Sequence, residues 1–213
     1  MAVPQIGGHH PFIVKIMHWL NVALIVVMLV SGLVIWLKHP SFFDFPEKLA
    51  DRKLFDASSP FGGPLIWHFA GLWLLMANWF SYVLYTLFSG NWREIIFRPS
   101  DIGGLVPQIK YYLGIQPVPP SAGKYNPLQK LAYNGLFVMA AATVVTGFAL
   151  YKPAMMKPII DTLGGPGWVR LIHFALAVWF ILFIAGHAVM GIWLALKGVT
   201  DMIPFAGGKK KGG

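Results

Sequence analysis

Four long stretches of this chain are almost entirely apolar, and they constrain its fold more than any other feature. They span residues 16–37, 65–88, 128–151 and 168–196. A helix needs about 20 apolar residues to cross a bilayer, and each stretch is long enough. Charged residues make up only 12% of the 213, about half their usual share in a soluble domain. We predict an all-α integral membrane protein, a bundle of four transmembrane helices in which residues 1–213 form a single membrane domain.

The segments between these runs differ in character. The loop at 38–63 matches no motif, whereas residues 102–113 predict a helix that lies in the membrane interface. The basic end of the chain, 206–213, predicts a disordered tail that contacts anionic lipid. No internal repeat is visible in the sequence.

The positive charges indicate how the chain is oriented. The net charge is +9, but the basic residues lie mostly between the apolar runs, so a membrane surface suits them better than nucleic acid. More Lys and Arg residues fall on the side that holds both termini than on the other side. The positive-inside rule then predicts a multi-pass protein of the bacterial inner membrane with both termini in the cytoplasm.

The seven histidines fall into two groups. Three lie in the N-terminal tail or in a loop, where we expect solvated side chains: His9, His10 and His39. The other four lie inside the apolar runs: His18, His68, His173 and His187. An ionisable residue inside a membrane is costly and indicates a functional site. The alternative for each is a neutral imidazole that binds a neighbouring helix and only stabilises packing.

The spacing of the last two histidines favours cofactor binding. His173 and His187 are 14 residues apart, which is about 40° short of four full helical turns and about 21 Å along the axis. Two ligands on one face near opposite membrane surfaces suggest two stacked cofactors. When histidines at the same depth in the membrane are paired, His18 pairs with His187 on the cytoplasmic side. His68 pairs with His173 on the periplasmic side. Two imidazoles per iron are what a bis-histidine haem b requires, whereas zinc requires three or four ligands at one level.

Small residues near these histidines are consistent with that interpretation. Gly32 lies 14 residues after His18, and Gly71 lies three residues after His68. We predict that both make room for the flat face of a haem. Close packing of two helices through small residues is the alternative.

These residues carry a family resemblance that covers about residues 12–200. The segment Lys15-Ile16-Met17-His18-Trp19-Leu20-Asn21, with Ser31-Gly32-Leu33, resembles the first span of b-type cytochrome subunits of formate dehydrogenases, nickel–iron hydrogenases and thiosulfate reductases. The second span resembles theirs in Trp67-His68-Phe69, and the third span in its entry, 125–133. The fourth does so in Arg170-Leu171-Ile172-His173 with His187. Four spans match the formate dehydrogenase gamma subunit better than the hydrogenase cytochrome.

The resemblance implies a membrane anchor that transfers electrons and has no primary-substrate chemistry of its own. Its cofactors would be two b haems, and its partners an iron–sulfur subunit and a catalytic oxidoreductase subunit in the periplasm. Its substrate would be ubiquinone or menaquinone, bound near the cytoplasmic haem, where Asn126 and Gln129 bring amide groups. We expect electrons to enter at the periplasmic haem. The chain contains no cysteine, so it holds no iron–sulfur cluster of its own.

Two other functions are compatible with the sequence. A stand-alone cytochrome b561-like quinol or superoxide oxidase would use the same two haems without partner subunits. A non-redox transporter would use the intramembrane histidines to relay protons, which needs no haem.

Overall fold

The structure is a computed structural model that describes residues 11–38, 62–118 and 125–196. Over these ranges the chain is helical and contains no strand. The helices are α1 (Phe12–Lys38), α2 (Pro64–Phe88), α3 (Trp92–Ile95), a 3₁₀ helix (Pro99–Gly104), α4 (Leu105–Tyr112), α5 (Pro127–Tyr151), α6 (Lys157–Thr162) and α7 (Pro166–Leu196).

Four of these helices are long and apolar enough to cross a membrane. The candidate spans are Phe12–Leu37, Pro64–Phe88, Pro127–Tyr151 and Pro166–Ile192. The prediction of an all-helical chain with four membrane helices is therefore confirmed. His9, His10, His39, most of the loop 38–63 and the tail 206–213 lie outside the described residues.

Local sequence signals explain where the long helices begin. Helices α2, α5 and α7 all start with proline, which suits the first helical position because no hydrogen bond is lost there. Asn126 caps α5: its side chain accepts a hydrogen bond from Gln129 N at 2.9 Å, while Gln129 Oε1 accepts one from Asn126 N at 3.0 Å. This reciprocal capping box marks the start of the helix at Asn126 and Pro127.

The described chain forms two compact units, one of which contains the described residues between 11 and 89. In this unit α1 and α2 pack antiparallel, because the end of α1 meets the beginning of α2. Gly71 allows the close approach, since a Cβ there would lie 3.1 Å from Met28 Sδ. At the other end Asn78 Nδ2 donates hydrogen bonds to Met17 O at 2.9 Å and to Asn21 Oδ1 at 2.7 Å. Polar contacts of this kind hold apolar helices together in lipid.

The second unit contains the described residues from 90 onward. Helices α5 and α7 pack antiparallel, and the short α6 joins them at one end. A buried cluster of Ala149, Ile160 and Val169 lies where these three helices meet. Gly164 and Gly165 have φ angles of 92° and 103°, which let the chain turn sharply before α7.

The beginning of α5 packs against the connecting segment, which is formed by α3, the 3₁₀ helix and α4. Lys130 Nζ forms an ion pair with Asp101 Oδ1 at 3.0 Å. Asn134 Nδ2 donates to the backbone oxygen of Ile95 at 2.9 Å. The pKa of Asp101 lies below its usual value because the backbone N–H of Arg98 donates to the carboxylate, and Lys130 adds to the effect. Helix α4 falls within the predicted 102–113 helix, whose location in the interface stays a prediction.

The connecting segment approaches α5 so closely that a glycine is required. A Cβ at Gly104 would lie 2.6 Å from Cγ of Pro127, whereas a Cβ at the neighbouring Gly103 would meet nothing within 4 Å. We expect Gly104→Ala to lower the free energy of unfolding by about 1–3 kcal/mol, because the rigid proline ring must be displaced. Gly103→Ala should leave stability unchanged or raise it slightly. Thermal unfolding of both variants in detergent checks this prediction, and equal midpoint temperatures of unfolding would contradict it.

Candidate functional site

The structure divides the four predicted histidines between the two units. His18 lies in α1 and His68 in α2, whereas His173 and His187 both lie in α7, a single uninterrupted helix. His18, His68 and His173 are partly buried, and His187 is more exposed. His18 and His68 therefore lie in one unit, and His173 and His187 lie in the other.

The ring of His68 is held by the end of α1. Ser31 Oγ lies 3.0 Å from His68 Nδ1, and the same oxygen lies 2.6 Å from the backbone oxygen of Val27 one turn earlier. Ser31 is only 1% exposed. A Cβ on the next residue, Gly32, would lie 3.2 Å from His68 Cε1. Gly32 thus makes room for the imidazole; its proposed contact with a haem stays a prediction.

The ring of His173 has the same surroundings in the other unit. Thr146 Oγ1 lies 2.9 Å from His173 Nδ1 and 2.7 Å from the backbone oxygen of Ala142. Thr146 is 4% exposed. A Cβ on the next residue, Gly147, would lie 3.0 Å from His173 Cε1. A hydroxyl residue followed by glycine therefore faces a histidine of the next long helix in both units.

This recurrence was missed by reasoning from the sequence, which identified the histidines and Gly32 but not the hydroxyl residues. The available signal was the pair of dipeptides Ser31-Gly32 and Thr146-Gly147, each near the end of a long apolar run that precedes a histidine-bearing run. Gly71 lies against Met28 and Val27, and its predicted contact with a haem stays a prediction. That environment corresponds to ordinary close packing of two helices.

Aromatic rings accompany the other two histidines. The ring of His18 lies 5.6 Å from that of Trp19. The ring of His187 stacks on Phe183 at 5.9 Å, and Phe183 stacks on Trp179 at 5.2 Å, each pair inclined by 15°. These residues are four apart along α7, so the three rings form one column on the helix surface.

The residues fit a b-type haem better than a multi-ligand metal site. In neither unit do the described residues bring together three His, Cys, Asp or Glu side chains that could hold a metal ion. A metal-binding histidine usually hydrogen-bonds through its second ring nitrogen, which orients the ring. His68 and His173 make such a contact through Nδ1, so Nε2 is the atom of each ring that would bind iron. The gaps at Gly32 and Gly147 allow both rings to sit close to the neighbouring helix.

The two residues predicted to contact quinone lie together at the start of α5. Asn126 is 4% exposed, and both groups of its amide are used: Oδ1 accepts from Gln129 N, and Nδ2 donates to the Tyr112 hydroxyl at 2.8 Å. Burial raises the pKa of Tyr112, although hydrogen bonds from Asn126 and Gln108 oppose the shift. The phenol therefore stays protonated at neutral pH. Tyr112 was not identified from the sequence.

A helical membrane chain with histidines oriented in this way belongs to the class of membrane-embedded b-type cytochromes. Residues 9–204 match the prokaryotic cytochrome b561 family, and the chain belongs to that family. It is accordingly a multi-pass membrane cytochrome that carries electrons and uses b-type haem. No solved structure gives a significant match to the chain.

Three relatives extend this finding. The chain is 30% identical over 188 residues to the putative protein-methionine-sulfoxide reductase subunit YedZ1 of Azospira oryzae, covering 87% of this chain and 91% of that protein. It is 28% identical over 183 residues to the putative cytochrome YdhU of Escherichia coli, covering 82% and 63%. It is 28% identical over 144 residues to the probable Ni/Fe-hydrogenase 1 B-type cytochrome subunit of Escherichia coli, covering 65% and 57%. The predicted resemblance to hydrogenase-type cytochromes is confirmed.

The glycine beside His173 gives a direct test of the site. We expect Gly147→Ala to displace the imidazole, because the added Cβ would lie 3.0 Å from Cε1, and to lower the b-haem content of the purified protein. Gly135→Ala in the same helix is the control, since a Cβ there meets nothing within 4 Å. Haem per chain, measured by the pyridine haemochromogen assay, should fall only for Gly147→Ala. An equal haem content in both variants would contradict the proposed environment of His173.

Proposed function

We propose that the chain is the membrane subunit of an oxidoreductase complex and transfers electrons between a catalytic partner and quinone through two bis-histidine b haems. A b haem bound by two histidines would supply a one-electron redox centre. His18 and His187 would hold one haem, and His68 and His173 the other. The observation that carries this proposal is the hydrogen bond through Nδ1 in both His68 and His173.

The order of the spans supports this pairing. In a chain that crosses the membrane four times, the beginning of α1 and the end of α7 lie on the same side. His18 and His187 occupy these positions. The beginnings of α2 and α7 lie on the opposite side, and they carry His68 and His173. The bias of Lys and Arg supports a cytoplasmic location for the termini, in a bacterial inner membrane.

The relatives support a partner subunit over a stand-alone oxidase. Two of them are named as subunits, one of a putative reductase and one of a probable hydrogenase. The absence of cysteine means that any iron–sulfur cluster of the complex belongs to another chain. We propose an iron–sulfur subunit and a catalytic subunit as partners. Membership of a cytochrome family argues against the proton-relaying transporter.

The names of the relatives also bear on the direction of electron flow. The match to the reductase subunit covers 91% of that protein, whereas the match to the hydrogenase subunit covers 57%. A reductase receives electrons, so we propose that quinol supplies them and the partner accepts them. This direction is the reverse of the one expected from the sequence alone.

We propose that quinone binds beside the start of α5, at Tyr112 and Gln129, with Asn126 orienting both. Asn126 uses its amide nitrogen on the Tyr112 oxygen and its amide oxygen on the backbone of Gln129. The Tyr112 oxygen accepts that bond, so its own hydrogen remains for a quinone carbonyl. Gln129 uses only Oε1 in the capping box, which leaves its amide hydrogens as a second donor group.

The haem pairing predicts which variants share a phenotype. Purified wild-type protein should contain two haems per chain, and each single substitution of an axial histidine by alanine should remove one. His68→Ala and His173→Ala should retain the same haem, with one midpoint potential, while His18→Ala and His187→Ala retain the other. His39→Ala, outside the apolar runs, serves as the control and should retain both. Redox titration would disprove the pairing if His18→Ala and His173→Ala retained haems of equal potential.

The quinone proposal predicts a specific effect of one hydroxyl group. Tyr112→Phe should slow reduction of the haems by decylubiquinol or a menaquinol analogue about two- to tenfold, the equivalent of one lost hydrogen bond. Reduction by dithionite should be unaffected, because this variant keeps the ring and the helix cap. Tyr111→Phe removes the adjacent phenol and should leave the rate unchanged. Stopped-flow absorbance measures both rates, and equal slowing by the two variants would exclude the proposed site.

A further inference from the structure

We propose that Ser31 and Thr146 are positioning residues that hold His68 and His173 with the hydrogen on Nδ1 and the lone pair on Nε2. The inference rests on the proposed role of these two histidines as ligands of one haem. The two hydroxyl groups fix the tautomer of both rings before a haem binds, so each ring is ready to bind iron.

The hydroxyl hydrogens of Ser31 and Thr146 are used within their own helices. A serine or threonine hydroxyl has one hydrogen to donate, and a backbone carbonyl can only accept. Ser31 Oγ lies 2.6 Å from Val27 O, and Thr146 Oγ1 lies 2.7 Å from Ala142 O. These distances are those of strong O–H···O hydrogen bonds, so each hydroxyl hydrogen points to its own helix backbone.

The contact with each hydroxyl determines which nitrogen of the histidine ring carries the hydrogen. Because the hydroxyl hydrogen is already used, the contacts of 3.0 Å and 2.9 Å to Nδ1 require the ring nitrogen to donate. The opposite assignment would leave two acceptor oxygens facing each other at 2.6–2.7 Å inside an apolar helix pair, which is electrostatically unfavourable. A neutral imidazole that donates from Nδ1 carries its lone pair on Nε2.

A glycine limits the position of each histidine ring on its Cε1 edge. In both units the residue after the hydroxyl is a glycine whose added Cβ would lie 3.0–3.2 Å from Cε1 of the same histidine. The backbone therefore limits the ring on its Cε1 edge while the hydroxyl holds Nδ1. Ser31 and Thr146 are buried, so water does not compete for these bonds. The two arrangements come from separate helix pairs and agree in every one of these features.

A hydrogen bond donated by Nδ1 makes the imidazole a more basic ligand. A more basic ligand favours the more positively charged, oxidised iron, so this bond lowers the midpoint potential of the haem. Because His68 and His173 are proposed to bind the same iron, both hydroxyl groups act on one haem and leave the other unchanged.

The experiment compares two isosteric substitutions in α5. Thr146→Val removes the hydroxyl that contacts His173, whereas Thr143→Val removes one that bonds only to its own helix backbone, at Met139 O. We expect Thr146→Val to raise the midpoint potential of one haem and to speed its transfer to apomyoglobin about tenfold or more. Thr143→Val should change neither quantity. Identical behaviour of the two variants would overturn the inference.

Two further variants keep the test decisive if Thr146→Val folds poorly. Thr146→Ser keeps the hydroxyl and should have the wild-type potential; a value like that of Thr146→Val would contradict the role of the hydroxyl. Ser31→Ala should shift the same haem as Thr146→Val, with Ser81→Ala as its control, since Ser81 bonds only to its own helix at Ala77 O. A Ser31→Ala protein with unshifted potentials would contradict the role of Ser31.

The outcomes separate this inference from the proposed function. If Ser31→Ala and Thr146→Val shift different haems, the hydroxyl role stands and the pairing of His68 with His173 is wrong. If His173→Ala retains both haems, the ligand assignment fails, and with it the inference for Thr146. If His173→Ala loses one haem and Thr146→Val matches Thr143→Val, only the inference fails.

Discussion

A polar side chain inside a membrane must find its hydrogen-bond partner within the protein, and this requirement determines how the long helices pair. Lipid supplies no hydrophobic force between apolar helices, so close packing and polar contacts decide which faces meet. Helix α1 meets α2 through Ser31 with His68 and through Asn78 with Asn21. Helix α5 meets α7 through Thr146 with His173. The histidines that suit a haem therefore also define the register of both helix pairs.

In both helix pairs a hydroxyl residue followed by glycine faces a histidine, so the same residues affect stability and function. A hydroxyl bonded to its own helix backbone costs little to bury, because its hydrogen is already satisfied. Its oxygen can then accept from an imidazole, and the glycine that follows lets the ring come close enough. Removing either part affects helix packing and ring orientation together. A site that is rigid before its cofactor binds needs little reorganisation to hold iron in a fixed geometry.

The sequence predicted the number, type and approximate place of the membrane helices, because length and hydropathy are sufficient for that. It could not predict the contacts of Ser31 and Thr146, which join residues 37 and 27 positions apart. A helix that is apolar on all sides carries no periodic pattern to show which face packs. For the same reason Gly32 and Gly71 looked alike in sequence, although one lies against a histidine ring and the other against Met28.

The start of α5 shows why a capping residue and a binding residue are difficult to separate. Asn126 uses its amide oxygen in the cap and one of its two amide hydrogens on Tyr112, so it both starts the helix and determines where the phenol lies. The phenol in turn belongs to α4, and the 3₁₀ helix just before α4 is held to α5 by Asp101 with Lys130 and by the close approach of Gly104 to Pro127. Replacing Asn126 would therefore weaken the helix start, by about 1 kcal/mol, and misplace Tyr112 at once. Only a substitution that removes the phenol oxygen and leaves the cap intact separates ligand binding from folding at this end of the helix.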